Sequence, residues 1–170
     1  MEAMATGTLV PLEEYLHTSY RPDCEYLEGE LLERNVGEWD HSRLQTLISH
    51  YLASREKEWG ILVVVEQRVQ VKARRFRVPD VTVLLGPRPS SGIITEPPFL
   101  CIELLSPEDR MQQMQERIDD YFAFGVRYVW LIHPRTRRAF VYTREGVREA
   151  GDGVLCTDEP RICVPLAELE

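Results

Sequence analysis

The chain has 170 residues, of which 44% are hydrophobic and 28% are charged, as in an ordinary globular protein. A chain of this length can bury one sizeable core, so we expect a single domain over residues 1–170. The net charge of −8 argues against a protein whose main role is to coat nucleic acid, because that affinity requires neutralised phosphates. Two locally basic segments, 68–77 and 135–138, could still touch DNA, although solvated strand and turn faces also explain them.

Neither a membrane segment nor a secretion signal is indicated by the sequence. The longest apolar runs, such as residues 61–65, are too short to span a bilayer. The first ten residues lack the basic and apolar regions of a signal peptide, so we expect a cytoplasmic protein. The four cysteines form no Cys-x-x-Cys pair, which predicts reduced thiols and no zinc site.

In the first third of the chain, the residue pattern predicts a short helix, a β-hairpin and a long helix. Residues 11–17 begin with Pro, which is favoured at the first helical position. Residues 24–34 read as two short strands joined around Glu28 and Gly29. Residues 40–58 have the apolar spacing of a helix with one buried face. The residues of that face are Leu44, Leu47, Ile48, Tyr51 and Leu52.

The middle of the chain is rich in predicted strands. Apolar stretches predict strands over 61–71 and 77–85, with a turn at 72–75 and a loop rich in Gly and Pro after the second strand. Residues 99–105 are apolar on both faces, as expected for a central strand covered by helices.

A second long helix is predicted to begin at Ser106. Ser is a favourable N-cap, Pro107 suits the first helical position, and Asp109 stands where a capping-box acid would stand. Gly125 is placed to end the helix. Its predicted buried face comprises Met111, Met114, Ile118, Tyr121 and Phe122.

Two further strands are predicted at 127–132 and 138–143. We expect the remaining residues to be irregular, with at most one closing strand near 161–164. The order of helix, hairpin, helix, strands, helix and strands is typical of a mixed central sheet flanked by helices. We therefore predict an α/β fold of the mixed α+β kind.

Two acidic residues stand inside apolar stretches, where a charged group is costly to bury. Asp80 lies in VPDVTVLL and Glu103 lies in FLCIELL. An ionised carboxylate costs several kcal/mol to bury unless it is paired or coordinates a cation. One such acid could be half of a structural ion pair. Two acids on successive strands, ~4.8 Å apart, could instead share one Mg²⁺ ion.

Arg117 is a candidate for the positive group beside this pair. Counted from Ser106, Glu103 lies about 10 Å back along its strand, and Arg117 lies about 16 Å along the predicted helix. If the helix folds back over the strand, the Arg side chain can reach the acids. The alternative is that Arg117 pairs with Glu116 or Asp120 on the surface.

Glu25, before the hairpin turn, and His41, at the start of the first long helix, are two further candidates. A solvated surface residue is the alternative for His41. The sequence has no Gly-rich phosphate loop, no G-x-S-x-G elbow and no cysteine in a recognisable nucleophile context. Metal-assisted hydrolysis is the chemistry that remains.

Six segments occur in the order typical of one known family: CEYLEGELLER, WDHSRL, VPDVTVL, CIELLSPEDR, ERIDDYFAFGVRYVWLIHP and RRAFVY. From about Leu12 to the C-terminus, the chain resembles the Uma-two family of restriction-endonuclease-like proteins. That family is a branch of the PD-(D/E)XK nuclease superfamily. The resemblance implies a restriction-endonuclease-like fold, with a mixed central sheet between helices, and a homodimer.

The resemblance also implies roles for the candidate residues. Asp80 matches the motif aspartate and Glu103 the motif glutamate, and both are implied to bind a metal ion. Glu25 matches the family's early glutamate, which completes the acidic site. His41 matches a histidine near the same cleft.

The sequence departs from the family pattern at three positions. Leu105 stands where a lysine is expected two residues after the glutamate. Arg117 stands where many members carry a lysine on the following helix, and arginine stays protonated. His133 stands where an aspartate is usual.

Three hypotheses follow for the function. The first is an endonuclease that hydrolyses phosphodiester bonds in DNA with Mg²⁺ or Mn²⁺. The second is a catalytically weak or inactive nuclease-fold module that serves in binding or regulation. The third is that the acids only form a structural ion-pair network with Arg77 or Arg117.

Overall fold

Short apolar strands build two β-sheets and a separate hairpin, described by a computed structural model for residues 7–35 and 37–170. The helices are α1 Leu12–His17, α2 Trp39–Ala53, α3 Glu56–Trp59 and α4 Met111–Phe124, and a 3₁₀ helix spans Leu166–Glu168. The strands are β1 Cys24–Leu27, β2 Glu30–Glu33, β3 Ile61–Val65, β4 Val69–Lys72, β5 Arg75–Arg77, β6 Val81–Leu85, β7 Leu100–Leu104, β8 Tyr128–Ile132, β9 Ala139–Thr143, β10 Gly146–Glu149, β11 Val154–Cys156 and β12 Cys163–Pro165.

The larger sheet has six strands in the order β10-β9-β8-β7-β6-β3. Only β7 and β8 run parallel, and α4 connects them, as a parallel pair requires a long crossover. The other neighbours are antiparallel, so the predicted mixed sheet is confirmed. All five residues of β7 are buried, as expected for a central strand.

The smaller sheet has the order β2-β1-β5-β4. The predicted hairpin is confirmed as β1 and β2, which are joined by Glu28 and Gly29. Both turn residues have positive φ, 48° and 102°, the conformation that a two-residue turn of the I′ type requires. This hairpin carries Glu25, which accepts hydrogen bonds from Arg77 of β5 and Arg117 of α4.

Two predicted strands are each divided between the two sheets. The stretch 61–71 forms β3 in the larger sheet and β4 in the smaller one, because Glu66 adopts a left-handed conformation (φ 50°) that turns the chain. The stretch 77–85 is divided in the same way, and residues 78–80 lie between β5 and β6. Pro79 has no N–H to donate to a ladder, so Asp80 directly precedes β6 instead of lying inside it.

The helix predictions need similar corrections. The stretch 40–58 contains α2 and α3, which are separated at Ser54 and Arg55. The second long helix begins at Met111 and not at Ser106, since the Asp109 side chain accepts a hydrogen bond from the Ser106 N–H (2.7 Å) and closes a separate turn. Met111 is therefore 69% exposed, whereas the rest of the predicted stripe on α4 is buried or half-buried.

The C-terminal part is more regular than predicted. It contains β10 and the hairpin of β11 and β12, where only one closing strand was expected. Cys156 and Cys163 face each other across that hairpin and form a disulfide, so the expectation of reduced thiols is wrong for this pair. Cys24 and Cys101 are free and buried.

Helices cover both faces of the larger sheet. Leu44, Ile48 and Leu52 of α2 pack on one face, together with the C-terminal hairpin. Met114 and Ile118 of α4 pack on the other face. No helix within residues 7–35 and 37–170 is long and apolar enough to cross a membrane.

A buried ion-pair network fastens the smaller sheet to α4. Arg77 on β5 donates from Nε to Asp120 on α4 (2.7 Å) and from Nη1 to Glu25 on β1 (2.8 Å). Arg75 also donates to Asp120 (2.8 Å). Arg77, Glu25 and Asp120 are almost fully buried, so each charge depends on the others.

We predict that Arg77→Met destabilises the protein by about 3–5 kcal/mol, because it leaves two buried carboxylates without their shared cation. Urea unfolding monitored by circular dichroism measures the change. Arg138→Met, which removes an exposed pair with Glu149, is the matched control and should change stability little. Equal effects of the two substitutions would contradict the proposed importance of the buried network.

Candidate active site

Asp80 and Glu103 lie side by side at the end of the larger sheet. In the β6–β7 ladder Val81 pairs with Ile102, which places Asp80 at the level of Glu103. Asp80 Oδ2 accepts a hydrogen bond from the N–H of Leu104 (2.7 Å), which fixes this proximity. Each acid is only 3% exposed. The two acids identified in the sequence are therefore brought together, as expected.

Asp80 is held in its ionised form by two neighbours. Its Oδ1 accepts a short hydrogen bond from Arg34 and lies 3.4 Å from Nε2 of His41. Burial alone would raise the pKa of Asp80, but the hydrogen bond from His41 and the positive charge of Arg34 outweigh burial and lower it. Burial would lower the pKa of His41, but the hydrogen bond to Asp80 and its negative charge outweigh burial and raise the pKa from its ordinary value.

The carboxyl group of Glu103 has fewer hydrogen-bond donors and positive charges near it than Asp80 has. Its Oε1 accepts a hydrogen bond from the Tyr121 hydroxyl (2.5 Å), and its Oε2 lies 4.0 Å from Nη1 of Arg117. Among the described residues, Oε2 has no hydrogen-bond donor. Burial raises the pKa of Glu103 to about 8, with Arg117 lowering it and the negative charges of Asp80 and Glu25 raising it. Glu103 is thus the acid most in need of another positive charge.

Glu25 lies behind this pair, and both of its oxygens are occupied. Arg117 donates to it from Nε (3.1 Å) and from Nη2 (3.2 Å). Arg77 and the N–H of Val78 donate to it as well, at 2.8 and 3.1 Å. Burial would raise the pKa of Glu25, but Arg117 and Arg77 outweigh burial and lower it.

Arg117 reaches the site as predicted, although its helix does not begin at Ser106. The helix begins at Met111, so the distance counted from Ser106 does not describe the path of the chain. The alternative of a surface pair with Glu116 or Asp120 is not observed, since Arg117 pairs with Glu25 and lies close to Glu103. Arg77 and Arg117 both bind Glu25 directly, and they do not bind the pair of Asp80 and Glu103 in this way.

Asp80, Glu103 and Arg117 line a cavity of about 320 Å³. Its polar lining includes Arg34, His41, Gln45, Glu66, Asp80, Glu103 and Arg117. Five of the lining residues are acids, and Arg34, Arg117 and His41 also line the cavity. The acids are Glu33, Glu66, Asp80, Glu103 and Asp109. The cavity therefore combines buried carboxylates with hydrogen-bond donors that suit an anionic group.

The contacts of Arg34 with Asp80 and of the Tyr121 hydroxyl with Glu103 were not predicted from the sequence. Arg34 directly follows β2, and nothing in its spacing marks it as a neighbour of Asp80, 46 positions further along the chain. Tyr121 was placed on the buried face of α4, which is correct, but its hydroxyl also reaches Glu103. An aromatic residue with a polar tip on a buried helix face is the one signal that could have indicated this contact.

The described side chains around the cavity do not form a complete metal site. Within the described ranges, no group of three or more His, Cys, Asp or Glu side chains is arranged to hold a metal ion. The basic segments 68–77 and 135–138 offer few free cations, because Arg68, Arg75, Arg77, Arg135 and Arg138 are all in ion pairs.

Comparison with known proteins identifies the family. The family model Uma2, described as "Putative restriction endonuclease", matches residues 12–160. The chain belongs to the Uma2 family. A search of curated proteins finds no match.

The Uma2 fold is supported by a solved structure. The crystal structure of a "putative nuclease belonging to DUF820" from Anabaena variabilis ATCC 29413 superposes with a TM-score of 0.76, at 24% sequence identity. The match covers 89% of this chain and 89% of the other. At this identity the likeness establishes a shared fold. The Uma-two resemblance read from the sequence and the predicted fold are thus confirmed.

The raised pKa of Glu103 predicts a pH-dependent stability for this Uma2 member. The unfolded chain loses the Glu103 proton near pH 4.5, whereas the folded protein keeps it until about pH 8. The folded state binds more protons in this window, so its stability falls as the pH rises through it. We predict that Glu103→Gln, which stays neutral, gains stability relative to wild type across this window, by about 1.4 kcal/mol per pH unit at most.

Thermal unfolding in EDTA, at several pH values between about 5 and 9, measures this difference. Glu145→Gln, on the exposed turn between β9 and β10, removes the same charge from the surface and is the control. A difference between Glu103→Gln and wild type that does not change with pH would show that Glu103 is ionised throughout.

Proposed function

We propose that this protein is a metal-dependent endonuclease that hydrolyses phosphodiester bonds in DNA. The observation that carries the proposal is the pair of buried carboxylates, Asp80 and Glu103, at the wall of one cavity with Arg117 beside them. Membership of the Uma2 family, described as "Putative restriction endonuclease", supports hydrolysis of nucleic acid. The acidic net charge agrees with an enzyme that binds DNA weakly outside its cleft.

Asp80 and Glu103 would hold a Mg²⁺ or Mn²⁺ ion. Two carboxylates are enough for Mg²⁺, which commonly keeps several of its own waters. Oε2 of Glu103 accepts no hydrogen bond from the described residues, and this oxygen is therefore able to bind a cation. When bound, the ion would polarise a phosphoryl oxygen and lower the pKa of a coordinated water.

Arg117 would bind the phosphate group and stabilise the charge that develops on it. Its Nε and Nη2 are held by Glu25, which leaves Nη1 directed to the Glu103 side of the cavity. Because arginine stays protonated, Arg117 supplies charge and hydrogen bonds but accepts no proton from water. Glu25 is then a positioning residue, since both of its oxygens are used to hold Arg117 and Arg77.

His41 is the candidate that remains for positioning a water molecule. Glu25 has no free oxygen for that role, whereas His41 lines the cavity and lies 3.4 Å from Asp80. Its other ring nitrogen, Nδ1, is buried and has no hydrogen-bond partner among the described residues. His41 therefore orients Asp80 through Nε2 and is close enough to the cavity to exchange a proton there.

We predict that Glu103→Ala abolishes metal-dependent nicking of supercoiled plasmid DNA. The loss should be at least about a hundredfold, because a bound metal ion is worth several kcal/mol in transition-state stabilisation. Agarose gels with added Mg²⁺ or Mn²⁺, and with EDTA as a blank, measure nicking. Glu145→Ala removes an exposed acid and should retain wild-type activity.

Nicking that survives in Glu103→Ala would remove Glu103 from the active site. Absence of nicking by the wild type would favour the inactive module, for which the lack of a lysine at the site is the supporting observation. Calorimetry separates these outcomes. An active or formerly active site binds Mn²⁺ in the wild type and loses it in Asp80→Asn, whereas a binding module without a metal shows no heat in either protein.

A second prediction concerns Arg117. We expect Arg117→Met to slow nicking by about 100- to 1,000-fold, the usual cost of removing a donor that stabilises transition-state charge. Its Mn²⁺ affinity, measured by calorimetry, should not fall, since no carboxylate of the metal pair is removed. A loss of Mn²⁺ binding equal to the loss of rate would show that Arg117 supports the acids and not the phosphate.

Three features expected from the sequence or from the family resemblance stay predictions. They are the homodimer, the cytoplasmic location and the organisation of residues 1–170 as a single domain. Sedimentation of the purified chain would test the first of these.

A further inference from the structure

Arg34 occupies an unusual position in the cavity. It follows β2 directly, and its side chain is only 15% exposed. Its Nη2 donates a short hydrogen bond to Asp80 Oδ1, and its Nη1 lies 3.5 Å from Glu66 Oε1. A charged side chain of this protein thus lies on one of the two carboxylates expected to bind a metal ion.

The oxygen that Arg34 contacts is the one that a cation would use. Asp80 Oδ2 already accepts a hydrogen bond from the N–H of Leu104 (2.7 Å) on the neighbouring strand. Oδ1 is therefore the oxygen directed away from the strand ladder, and Arg34 and His41 lie against it. A divalent cation at Oδ1 would repel the guanidinium at a separation of a few ångströms, where the protein interior screens charge poorly.

Glu66 is a second acidic partner for Arg34. It also lines the cavity, but its side chain is 54% exposed, in contrast to the buried Asp80. Gln45 Nε2 donates to Glu66 Oε1 (3.3 Å) and to the carbonyl oxygen of Asp80 (3.0 Å), so one residue bridges the two positions. Arg34 can keep an acidic partner if it moves from Asp80 towards the cavity mouth.

We propose that Arg34 is a built-in counter-ion that competes with a divalent cation for Asp80 and shifts to Glu66 when the cation binds. This inference rests on the metal site of the proposed function. The arginine neutralises the buried acid while the cation is absent, and its displacement lowers the affinity for the cation. The arrangement also explains why the acids are close together although no ready metal site is formed.

Titration with MnCl₂ in a calorimeter tests the competition without any measurement of activity. We expect Arg34→Met to bind Mn²⁺ about 10- to 100-fold more tightly than the wild type, since a hydrogen bond between charged groups no longer has to be broken. Arg34→Gln, which keeps a neutral donor, provides a second variant if the first folds poorly. Arg148→Met removes the same charge from exposed β10, three strands from β7, and should leave the affinity unchanged.

A double-mutant cycle tests the role of Glu66. Glu66→Gln should weaken Mn²⁺ binding in the wild type, because the displaced Arg34 loses its second partner. The same substitution should have no effect in the Arg34→Met background. An equal effect in both backgrounds would mean that Glu66 acts on the metal directly, and the shift of Arg34 would be refuted.

The outcomes separate this inference from the proposed function. Equal Mn²⁺ affinities of the wild type and Arg34→Met would overturn the counter-ion while leaving the metal site intact. Binding by Arg34→Met that is lost again in Arg34→Met/Asp80→Asn supports both ideas, even if the wild type binds too weakly to measure. No binding by any of these proteins overturns both.

Discussion

Four carboxylates are buried in one region of this protein, and the cost of burying them determines which side chains surround them. Glu25 and Asp120 share Arg77, and Glu25 also receives two hydrogen bonds from Arg117. An isolated buried charge of this kind costs several kcal/mol, so the arginines stabilise the assembly of the sheets with α4. The ion-pair network joins β1, β5 and α4 around acids that would be costly to bury without it.

The positive charges and hydrogen-bond donors around these four acids are unequally distributed, and Glu103 has the fewest. Glu25 has a donor at each oxygen and a lowered pKa, whereas Glu103 has one hydroxyl partner and a pKa raised to about 8. Perturbed acids in a cleft are typical of functional sites, while fully paired acids are typical of structural networks. The third hypothesis from the sequence assigned Asp80 and Glu103 to a structural network with Arg77 or Arg117, whereas these arginines bind Glu25 and Asp120. It does not describe Glu103, which lacks the partners that a structural role would require.

The sequence was informative where one residue carries the signal by itself. Apolar neighbours on both sides mark Asp80 and Glu103 as costly, and the buried faces of α2 and α4 follow from helical spacing. The sequence was uninformative where the structure depends on contacts between residues that are far apart in the chain. The sequence does not show the transfer from one sheet to the other at Glu66 and at residues 78–80, because residues typical of strands lie on both sides of each break. Arg34 was missed for the same reason, since only the folded chain brings it to Asp80.

The replacement of a lysine by Arg117 is best understood together with Glu25. A lysine carries its charge on one nitrogen, which would have to choose between Glu25 and the cavity. The planar guanidinium has donors on three nitrogens, so Arg117 binds both oxygens of Glu25 through Nε and Nη2 and still directs Nη1 towards Glu103. The same geometry limits its chemistry, because a group held in this way and always protonated can stabilise charge but cannot take a proton from water. In the proposed hydrolysis, proton transfer would be left to His41 or to the solvent, and Arg117 would act only through the phosphate.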